Sequence, residues 1–327
     1  MAIHLAEVSI DPAVLLAPMA GITDLPYRRI VSRFGAGLVV SEMVASREVV
    51  TARPEARARA ELGFGEAATA IQLAGREADW MAEAARLVAG QGARIIDINM
   101  GCPARRVTSG LAGSALMRDL DHAVSLIEAV VGAVDVPVTL KTRLGWDDDL
   151  LNAPELARRA EAAGVRMITI HGRTRCQFYK GRADWAAIAR VKEAVTIPVI
   201  ANGDITDAAS AREALRLSGA DGVMVGRGIQ GRPWLLAEIA AGLTGQRGPE
   251  VPEGEALADL VAEHHAAMLD FYGEELGLRV ARKHLGWYLD AAGDPAGLRR
   301  ALLTAEEPAT VARLIRDAFA PPRRVAA

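Results

Sequence analysis

Eight short apolar segments recur between residues 14 and 226, and each is followed by a helix-like stretch rich in Ala, Leu, Arg and Glu. Their nearly continuous apolar character is typical of parallel strands that are buried on both faces. Eight such units without a long sheet-reversing connection predict an α/β fold, a (β/α)8 TIM barrel, whereas an open doubly wound sheet is the alternative. The predicted strands cover residues 14–17, 38–41, 69–73, 95–99, 138–141, 167–171, 199–202 and 222–226.

This repeating pattern ends near residue 241. The residues that follow are rich in Gly, Pro and Glu, which is typical of a linker. Beyond the linker the pattern is helical only, with amphipathic stretches around residues 264–271, 279–289 and 309–319. The sequence therefore predicts a barrel domain at 1–241, a linker at 242–252 and a small all-helical domain at 253–327.

Composition excludes several classes of protein. The 327 residues are 51% hydrophobic and 24% charged with a formal net charge of -3, so a nucleic-acid partner would need a local basic patch. The N-terminus lacks a basic segment, and no apolar run approaches the ~20 residues that span a bilayer. The two cysteines, Cys102 and Cys176, are too few for a disulfide framework. We expect a cytoplasmic monomer with no membrane association, no metal site and no obligate protein partner.

Polar or unusual residues follow each predicted strand. The C-terminal ends of barrel strands converge on one face, where the catalytic groups of this fold lie. A mixed set of Gln, Asn, Cys, Lys, His and Arg on one rim predicts a shared active site for a polar ligand. The strand-end residues are Pro18 to Gly21, Glu42 and Met43, Gln72, Asn99, Lys141 and Arg143, His171, Asn202 to Asp204, and Gly226 to Gly228.

The glycine-rich ends of the seventh and eighth strands indicate a phosphate site. This corner of the barrel commonly binds phosphate through backbone N–H groups and a helix N-terminus, so a phosphorylated cofactor is expected. The stretch GRGIQG at 226–231 also matches the dinucleotide pattern GxGxxG. We interpret that match as coincidental, because no second strand with an acidic residue follows about 20 positions later.

Several longer motifs resemble those of the tRNA-dihydrouridine synthase family, in its DusB-like branch. These motifs are APMAGITDLPYR, SEM, IQLAG, NMGCPARRV with LAGSALM, KTR, HGRTRCQFYKG, IPVIANGDI and GADGVMVGRG. The resemblance implies reduction of a uracil base in tRNA, with FMN as cofactor, NADPH as reductant, and the helical tail as a tRNA-binding domain. It implies FMN contacts at Pro18, Met19, Ala20, Gln72, Lys141, Asn202, Gly203, Asp204, Gly226 and Arg227, with Asn99 and His171 also bordering the flavin.

Two of these identities suit a flavin on chemical grounds. Gln72 can offer a donor and an acceptor to the imide edge of the ring, and Lys141 can neutralise the negative charge that develops at N1/O2 on reduction. Taken alone, Gln72 would be better explained as a solvated strand end, and Lys141 could be a rim lysine paired with a carboxylate.

Cys102 is the candidate proton donor. Saturating the 5,6 double bond of uracil requires a hydride at C6 and a proton at C5. A thiol with an ordinary pKa of ~8.5 is protonated at pH 7 and still able to release its proton. Cys102 lies three residues past the fourth strand in a Gly-Cys-Pro turn, and it matches the family's active-site cysteine. A buried inert thiol is the alternative, and Cys176 is expected to have no catalytic role.

Basic residues near the predicted mouth indicate RNA contact. Cations beside Phe178 and Tyr179 suit phosphates and stacked bases, although a solvated basic loop is the alternative. The predicted tRNA contacts are Arg105, Arg106, Arg143, Arg173 and Arg175.

Two other functions remain open. One is a flavin-dependent reductase or dehydrogenase of a free pyrimidine or other small molecule, as in dihydroorotate or dihydropyrimidine dehydrogenases. The other is a non-catalytic RNA-binding or regulatory protein on the same barrel. The basic loop and the helical tail disfavour the first, and the intact set of Gln72, Cys102, Lys141 and His171 disfavours the second.

Overall fold

Eight parallel strands close into a barrel in the computed structural model, which describes residues 2–51, 69–294 and 296–320. The last strand pairs with the first, with Val223 opposite Val14, and this pairing closes the sheet. The barrel strands are β3 (Val14–Leu16), β4 (Leu38–Val40), β6 (Thr69–Ala74), β7 (Ile95–Asn99), β8 (Val138–Arg143), β9 (Met167–His171), β10 (Val199–Asn202) and β11 (Gly222–Val225). The predicted (β/α)8 fold is confirmed, and each predicted strand ends within two residues of an observed one.

Helices on the outside of the barrel connect the strands. Several begin at the caps that their sequences specify: the Asp24 side chain accepts from the Tyr27 N–H, and Asp207 forms a reciprocal capping box with Ser210. The helices are α1 (Leu25–Arg33), α2 (Ser46–Val50), α3 (Ala78–Gly90), α4 (Arg105–Thr108), α5 (Leu120–Val131), α6 (Ala153–Ala162), α7 (Ala186–Ala194), α8 (Ala208–Ser218) and α9 (Leu235–Thr244). The short strand β5 (Val44–Ala45) pairs with the C-terminal end of β6.

The barrel interior is apolar at one end and polar at the other. Leu15, Ile95, Met167 and other inward side chains near the strand starts form one buried cluster. An N-terminal hairpin of β1 (Ile3–Leu5) and β2 (Val8–Ile10) joins this cluster and covers the N-terminal end. This hairpin was not predicted from the sequence. The hairpin occupies the N-terminal end, and the polar side chains lie at the C-terminal end, where the cavity opens.

The chain after α9 forms a bundle of four helices. They are α10 (Gly254–Tyr272), α11 (Glu274–Ala292), α12 (Arg299–Thr304) and α13 (Pro308–Phe319). The predicted amphipathic stretches lie in three of these helices, whose apolar faces share a cluster around Met268, Leu285 and Ile315. Since α9 continues to Thr244, the non-helical connection is shorter than the predicted linker. The division into domains stays a prediction. The predicted domains include residues 1, 52–68, 295 and 321–327, which lie outside the described residues.

The bundle packs onto the barrel through a buried aromatic contact. The ring of Tyr27 from α1 lies 5.5 Å from that of His264 and 5.2 Å from that of His284, between ring centroids. Burial lowers the pKa of His264 to about 3 and that of His284 well below its usual range, so both imidazoles are neutral at pH 7. Tyr272 also donates a 3.0 Å hydrogen bond to Asp24. The bundle therefore covers α1 beside the barrel mouth. None of the described helices is both long and apolar enough to span a membrane.

Candidate active site

A cavity of about 700 Å³ opens at the C-terminal ends of the barrel strands. It brings together the candidate proton donor and all the residues predicted to contact a cofactor. These lining residues are Pro18, Met19, Ala20, Gln72, Asn99, Cys102, Lys141, His171, Asn202, Gly203, Asp204, Gly226 and Arg227. The strand ends thus converge as the barrel geometry requires, because parallel strands deliver their C-terminal residues to one face. The role of each residue stays a prediction.

A chain of hydrogen-bonded side chains forms the floor of this cavity. The Gln72 amide nitrogen donates to Asp97 at 2.7 Å, and the Asn99 amide nitrogen donates to the Gln72 oxygen at 2.8 Å. The Asn99 oxygen in turn accepts the backbone N–H groups of Gly101 at 3.2 Å and Cys102 at 3.0 Å. Gln72 therefore already has one partner at each end of its amide. Only its second donor and second lone pair remain for a ligand.

Asp97 was not predicted from the sequence as part of this site. The signal was present, because this carboxylate interrupts an apolar strand, IIDIN, two positions before Asn99 and therefore on the same face of β7. Asp97 is only 4% exposed, and burial raises the pKa of its carboxyl group. A buried carboxylate beside a polar cavity calls for a functional explanation.

The cysteine turn is held from two sides. Besides the bond from its N–H to Asn99, the Cys102 carbonyl accepts from the Ser114 backbone N–H at 3.1 Å and the Ser114 hydroxyl at 2.9 Å. Gly113 has a φ of 59°, and a Cβ there would lie 2.8 Å from the Cys102 carbonyl oxygen, so only glycine fits. Cys102 is half-buried on the cavity wall, whereas Cys176 is exposed and does not line the cavity.

Lys141 places an ammonium group in the cavity. Its Nζ donates to the Asn202 side-chain oxygen at 3.1 Å, and the Asn202 amide nitrogen donates to the Met224 carbonyl at 2.8 Å. Burial lowers the pKa of Lys141 to about 8, and the positive charge of Arg143 contributes to this lowering. The amine is still mostly protonated at pH 7, and a bound group carrying negative charge would favour that form.

His171 is neutral. Burial lowers its pKa well below the usual range, and the nearby cations Lys141, Arg143, Arg173 and Arg227 add to this effect. Its Nε2 atom lies 3.2 Å from an Arg173 nitrogen. A guanidinium group only donates, so Nε2 accepts and the ring proton is on Nδ1. The imidazole can thus offer one N–H donor.

Two of the predicted tRNA-binding arginines are buried and bonded within the protein. Arg143 is 3% exposed and donates to the carbonyl oxygens of Gly101, Thr174 and Phe178. Arg173 is 2% exposed, donates to the Lys180 and Gly181 carbonyls and forms a 2.7 Å ion pair with Asp204. Both side chains therefore tie the loop at 174–181 to the cavity wall. Direct contact of either arginine with tRNA stays a prediction.

The other predicted tRNA-binding residues are more accessible. Arg105 and Arg106 are exposed on α4, and Arg106 also lines the cavity. Arg175 lies over the ring of Trp146, with 4.7 Å between the guanidinium carbon and the ring centroid, and does not line the cavity. Tyr179 is 45% exposed at the mouth. The Arg227 guanidinium carbon lies 4.8 Å from the centre of the Tyr179 ring, an arrangement typical of a cation–π contact.

Glycine backbone forms the cavity wall at the ends of β10 and β11. Gly203 has a φ of 115°, and a Cβ there would lie 2.8 Å from the Ala183 side chain and 3.3 Å from His171. A Cβ at Gly228 would lie 2.6 Å from the Ile205 carbonyl oxygen. This wall therefore presents backbone rather than side chains to a ligand. Together with the amides and the ammonium group, it fits a flat polar ring that carries a phosphate. Among the residues that the structure describes, no cluster of three or more His, Cys, Asp or Glu could hold a metal ion.

Comparison with known proteins identifies the family of the chain. A family model described as "Dihydrouridine synthase (Dus)" matches residues 15–320. A protein of Rhodobacter capsulatus named "Probable tRNA-dihydrouridine synthase" is 66% identical, with 98% of each chain covered. A relative of the same name from Rhizobium leguminosarum is 56% identical over 93% of this chain and 94% of its own. A "tRNA-dihydrouridine synthase B" of Xanthomonas campestris is 47% identical over 95% of this chain and 94% of its own. These matches confirm the predicted resemblance and the prediction of an enzyme, and the chain belongs to the dihydrouridine synthase family.

Proposed function

We propose that this chain is an FMN-dependent tRNA-dihydrouridine synthase, which reduces the 5,6 double bond of specific uridines in tRNA and uses NADPH as reductant. The observation that carries the proposal is one cavity at the barrel mouth, where the half-buried thiol of Cys102 lies with the Gln72 and Asn99 amides and the Lys141 ammonium group. A thiol, amides and a cation in one cavity are the groups that reduction of a uracil base requires.

The chain's residues divide into two sets under this proposal. Gln72 and Lys141 hold the polar edge of the flavin ring, and the glycine backbone at Gly203 and Gly226 with Arg227 holds its phosphate. When bound, reduced FMN would supply the hydride that C6 of uracil receives. Cys102 then donates its thiol proton to C5, and the thiolate that remains is reprotonated from solvent through the open mouth.

A uridine inside folded tRNA must leave its stack to reach this cavity. The exposed aromatic ring of Tyr179 and the exposed Arg106 lie where the mouth meets solvent. Stacking on an aromatic ring and contact with phosphates suit a splayed nucleotide. The bundle also reaches this face, because the Lys283 side chain of α11 lies beside Gly21 in the loop after the first barrel strand. Its ammonium nitrogen is 3.3 Å from the position that a Cβ atom on Gly21 would take.

The proposal is tested with the purified full-length chain. We expect a flavin absorbance spectrum, bleaching of that spectrum by NADPH, and reoxidation by unmodified tRNA with formation of dihydrouridine. Reoxidation by free uracil or uridine at a comparable rate would instead favour a small-molecule reductase. A protein that binds tRNA but takes up no FMN would favour a non-catalytic role.

Exposed cations on both sides of the mouth should contribute to tRNA affinity. Arg279 lies one helical turn before Lys283 and so on the same face of α11, and Arg106 lies on the opposite, barrel side. We expect Arg279→Ala and Arg106→Ala each to weaken tRNA binding. Each should also reduce the slope of log affinity against log salt by about 0.7–0.9 for every phosphate that the removed side chain had neutralised.

The matched control is Arg94→Ala. Arg94 is an exposed cation that donates to the Glu7 carbonyl at the N-terminal end of the barrel, far from the mouth. Its removal should leave the affinity and the salt slope unchanged. Equal losses of affinity in all three variants would show that tRNA does not bind at the C-terminal face.

A further inference from the structure

Asp97 lies at the centre of a row of three polar side chains on neighbouring strands. Register pairs Gln72 of β6 with Asp97 of β7, and Asp97 with Thr139 of β8. Each carboxylate oxygen accepts one hydrogen bond: Oδ2 from the Gln72 Nε2 at 2.7 Å and Oδ1 from the Thr139 hydroxyl at 2.6 Å. Asp97 itself does not line the cavity, so it acts on a ligand through its hydrogen-bonded neighbours or through its charge, which works to raise the pKa of Lys141.

The hydrogen-bonded chain from Asp97 has a fixed direction. A carboxylate only accepts, so Gln72 must turn its nitrogen toward Asp97 and its oxygen toward Asn99. At the other end, two backbone N–H groups only donate, so Asn99 must turn its oxygen toward Gly101 and Cys102. If the Gln72 amide were reversed, Asn99 would have to reverse too, and its NH₂ group would face two other donors.

We propose that Asp97 is a positioning residue, which sets the orientation of the Gln72 and Asn99 amides and thereby holds the turn that carries Cys102. Its catalytic consequence rests on the proposed function. The positioning itself does not, because it follows from hydrogen bonds within the chain.

This arrangement determines what the cavity floor offers to a ligand. Both lone pairs of the Asn99 oxygen are used by the two backbone N–H groups, so Asn99 has only an N–H donor left. Gln72 keeps one donor and one lone pair. A ligand therefore meets a fixed set of donors and acceptors instead of two freely rotating amides, which is the preorganisation that orients reacting groups.

The test follows the exposure of the Cys102 thiol. The full-length chain is used in a Cys176→Ser background, so that Cys102 is the only cysteine, and its alkylation by iodoacetamide is timed at equal flavin content. In Asp97→Leu, the Gln72 nitrogen loses its acceptor, so the Gln72 and Asn99 amides hold the turn less firmly, while the bonds from Ser114 to the Cys102 carbonyl remain. We expect alkylation to be faster by about fivefold, the factor that one net hydrogen bond supplies.

Two variants separate orientation from packing. Thr139→Val removes the other hydrogen bond to Asp97 but leaves the one to Gln72, so alkylation should stay within about twofold of the parent. Asp97→Asn can still accept from Gln72 while its NH₂ group donates to the Thr139 hydroxyl, so it should also stay near the parent rate. The double variant Asp97→Asn/Thr139→Val keeps the amide oxygen that accepts from Gln72, so its rate should stay nearer to that of the parent than to that of Asp97→Leu.

The positioning role is overturned if Thr139→Val or the double variant accelerates alkylation as much as Asp97→Leu does. An unchanged rate in Asp97→Leu also overturns it. With tRNA and NADPH, kcat for dihydrouridine formation should fall about tenfold or more in Asp97→Leu, because small misplacements of reacting groups are costly. If the alkylation pattern holds while the parent forms no dihydrouridine, the proposed function fails and the positioning role stands.

Discussion

A Cys102→Ala variant is expected to reduce tRNA about 10²- to 10⁴-fold more slowly than the wild-type chain, the range that general acid catalysis supplies. Under the proposed function neither FMN binding nor reduction by NADPH uses the thiol, so the same variant should keep its FMN and should be reduced by NADPH at a normal rate. The loss should therefore appear only in reoxidation by tRNA, measured by stopped-flow absorbance of the flavin and by dihydrouridine content.

Cys176→Ala is the matched control. Cys176 is the only other thiol, and it is exposed on the loop at 174–181 and lies outside the cavity lining. Its variant should behave as wild type. A reoxidation rate in Cys102→Ala within about threefold of wild type, or an equal loss in Cys176→Ala, would contradict the role of Cys102 as the acid.

The barrel could be predicted from the sequence because residues that end a strand recur at regular intervals. Buried parallel strands are apolar on both faces, and here each is bounded by glycine, proline or a polar residue, so eight repeats indicated both the fold class and the strand positions. The hairpin of β1 and β2 escaped prediction for a physical reason. Each of its strands has three residues, too short for an alternation of apolar and polar residues to stand out from a loop.

The sequence predicted which residues converge at the candidate site, but it did not predict the hydrogen bonds among them. Residues that end barrel strands must meet at one face, so Gln72, Asn99 and Lys141 could be grouped from the sequence. Hydrogen bonds among them depend on strand register, which is a property of the closed sheet. For that reason the partners of Asp97 could not be predicted, although the carboxylate itself stands out in an apolar strand, and the burial of Arg143 and Arg173 behind the loop they hold was not foreseen.

The buried contact between the barrel and the bundle changes how the tail should be tested. Removing α10 and α11 would expose Tyr27, which is fully buried against His264 and His284. A truncated chain that no longer binds tRNA could then reflect a destabilised α1 instead of a missing RNA-binding surface. Single substitutions of exposed cations, such as Arg279→Ala, leave this buried contact intact and are the better experiment.

Lys141→Met is expected to slow reduction of the flavin by NADPH by about 10²- to 10³-fold, the cost of removing one preorganised group that stabilises developing charge. Methionine keeps much of the side-chain length and none of the charge. The variant should also bind FMN more weakly, whereas Lys192→Met should do neither, because Lys192 lies on the outer helix α7 in an ion pair with Asp221.

The pH dependence of flavin reduction tests the same role of the Lys141 charge. The pKa of Lys141 is lowered to about 8, so the ammonium group is present below that pH and lost as the pH rises through it. If the ammonium group stabilises the charge that develops on reduction, the wild-type reduction rate should fall between pH 7 and pH 9, by up to about tenfold per pH unit above the pKa. Lys141→Met has no such group and should show no fall over this range, while Lys192→Met should keep the wild-type profile. The same fall in Lys141→Met, or a wild-type rate in that variant at pH 7, would mean that the charge of Lys141 does not act on the flavin, and its bond to Asn202 would then be structural only.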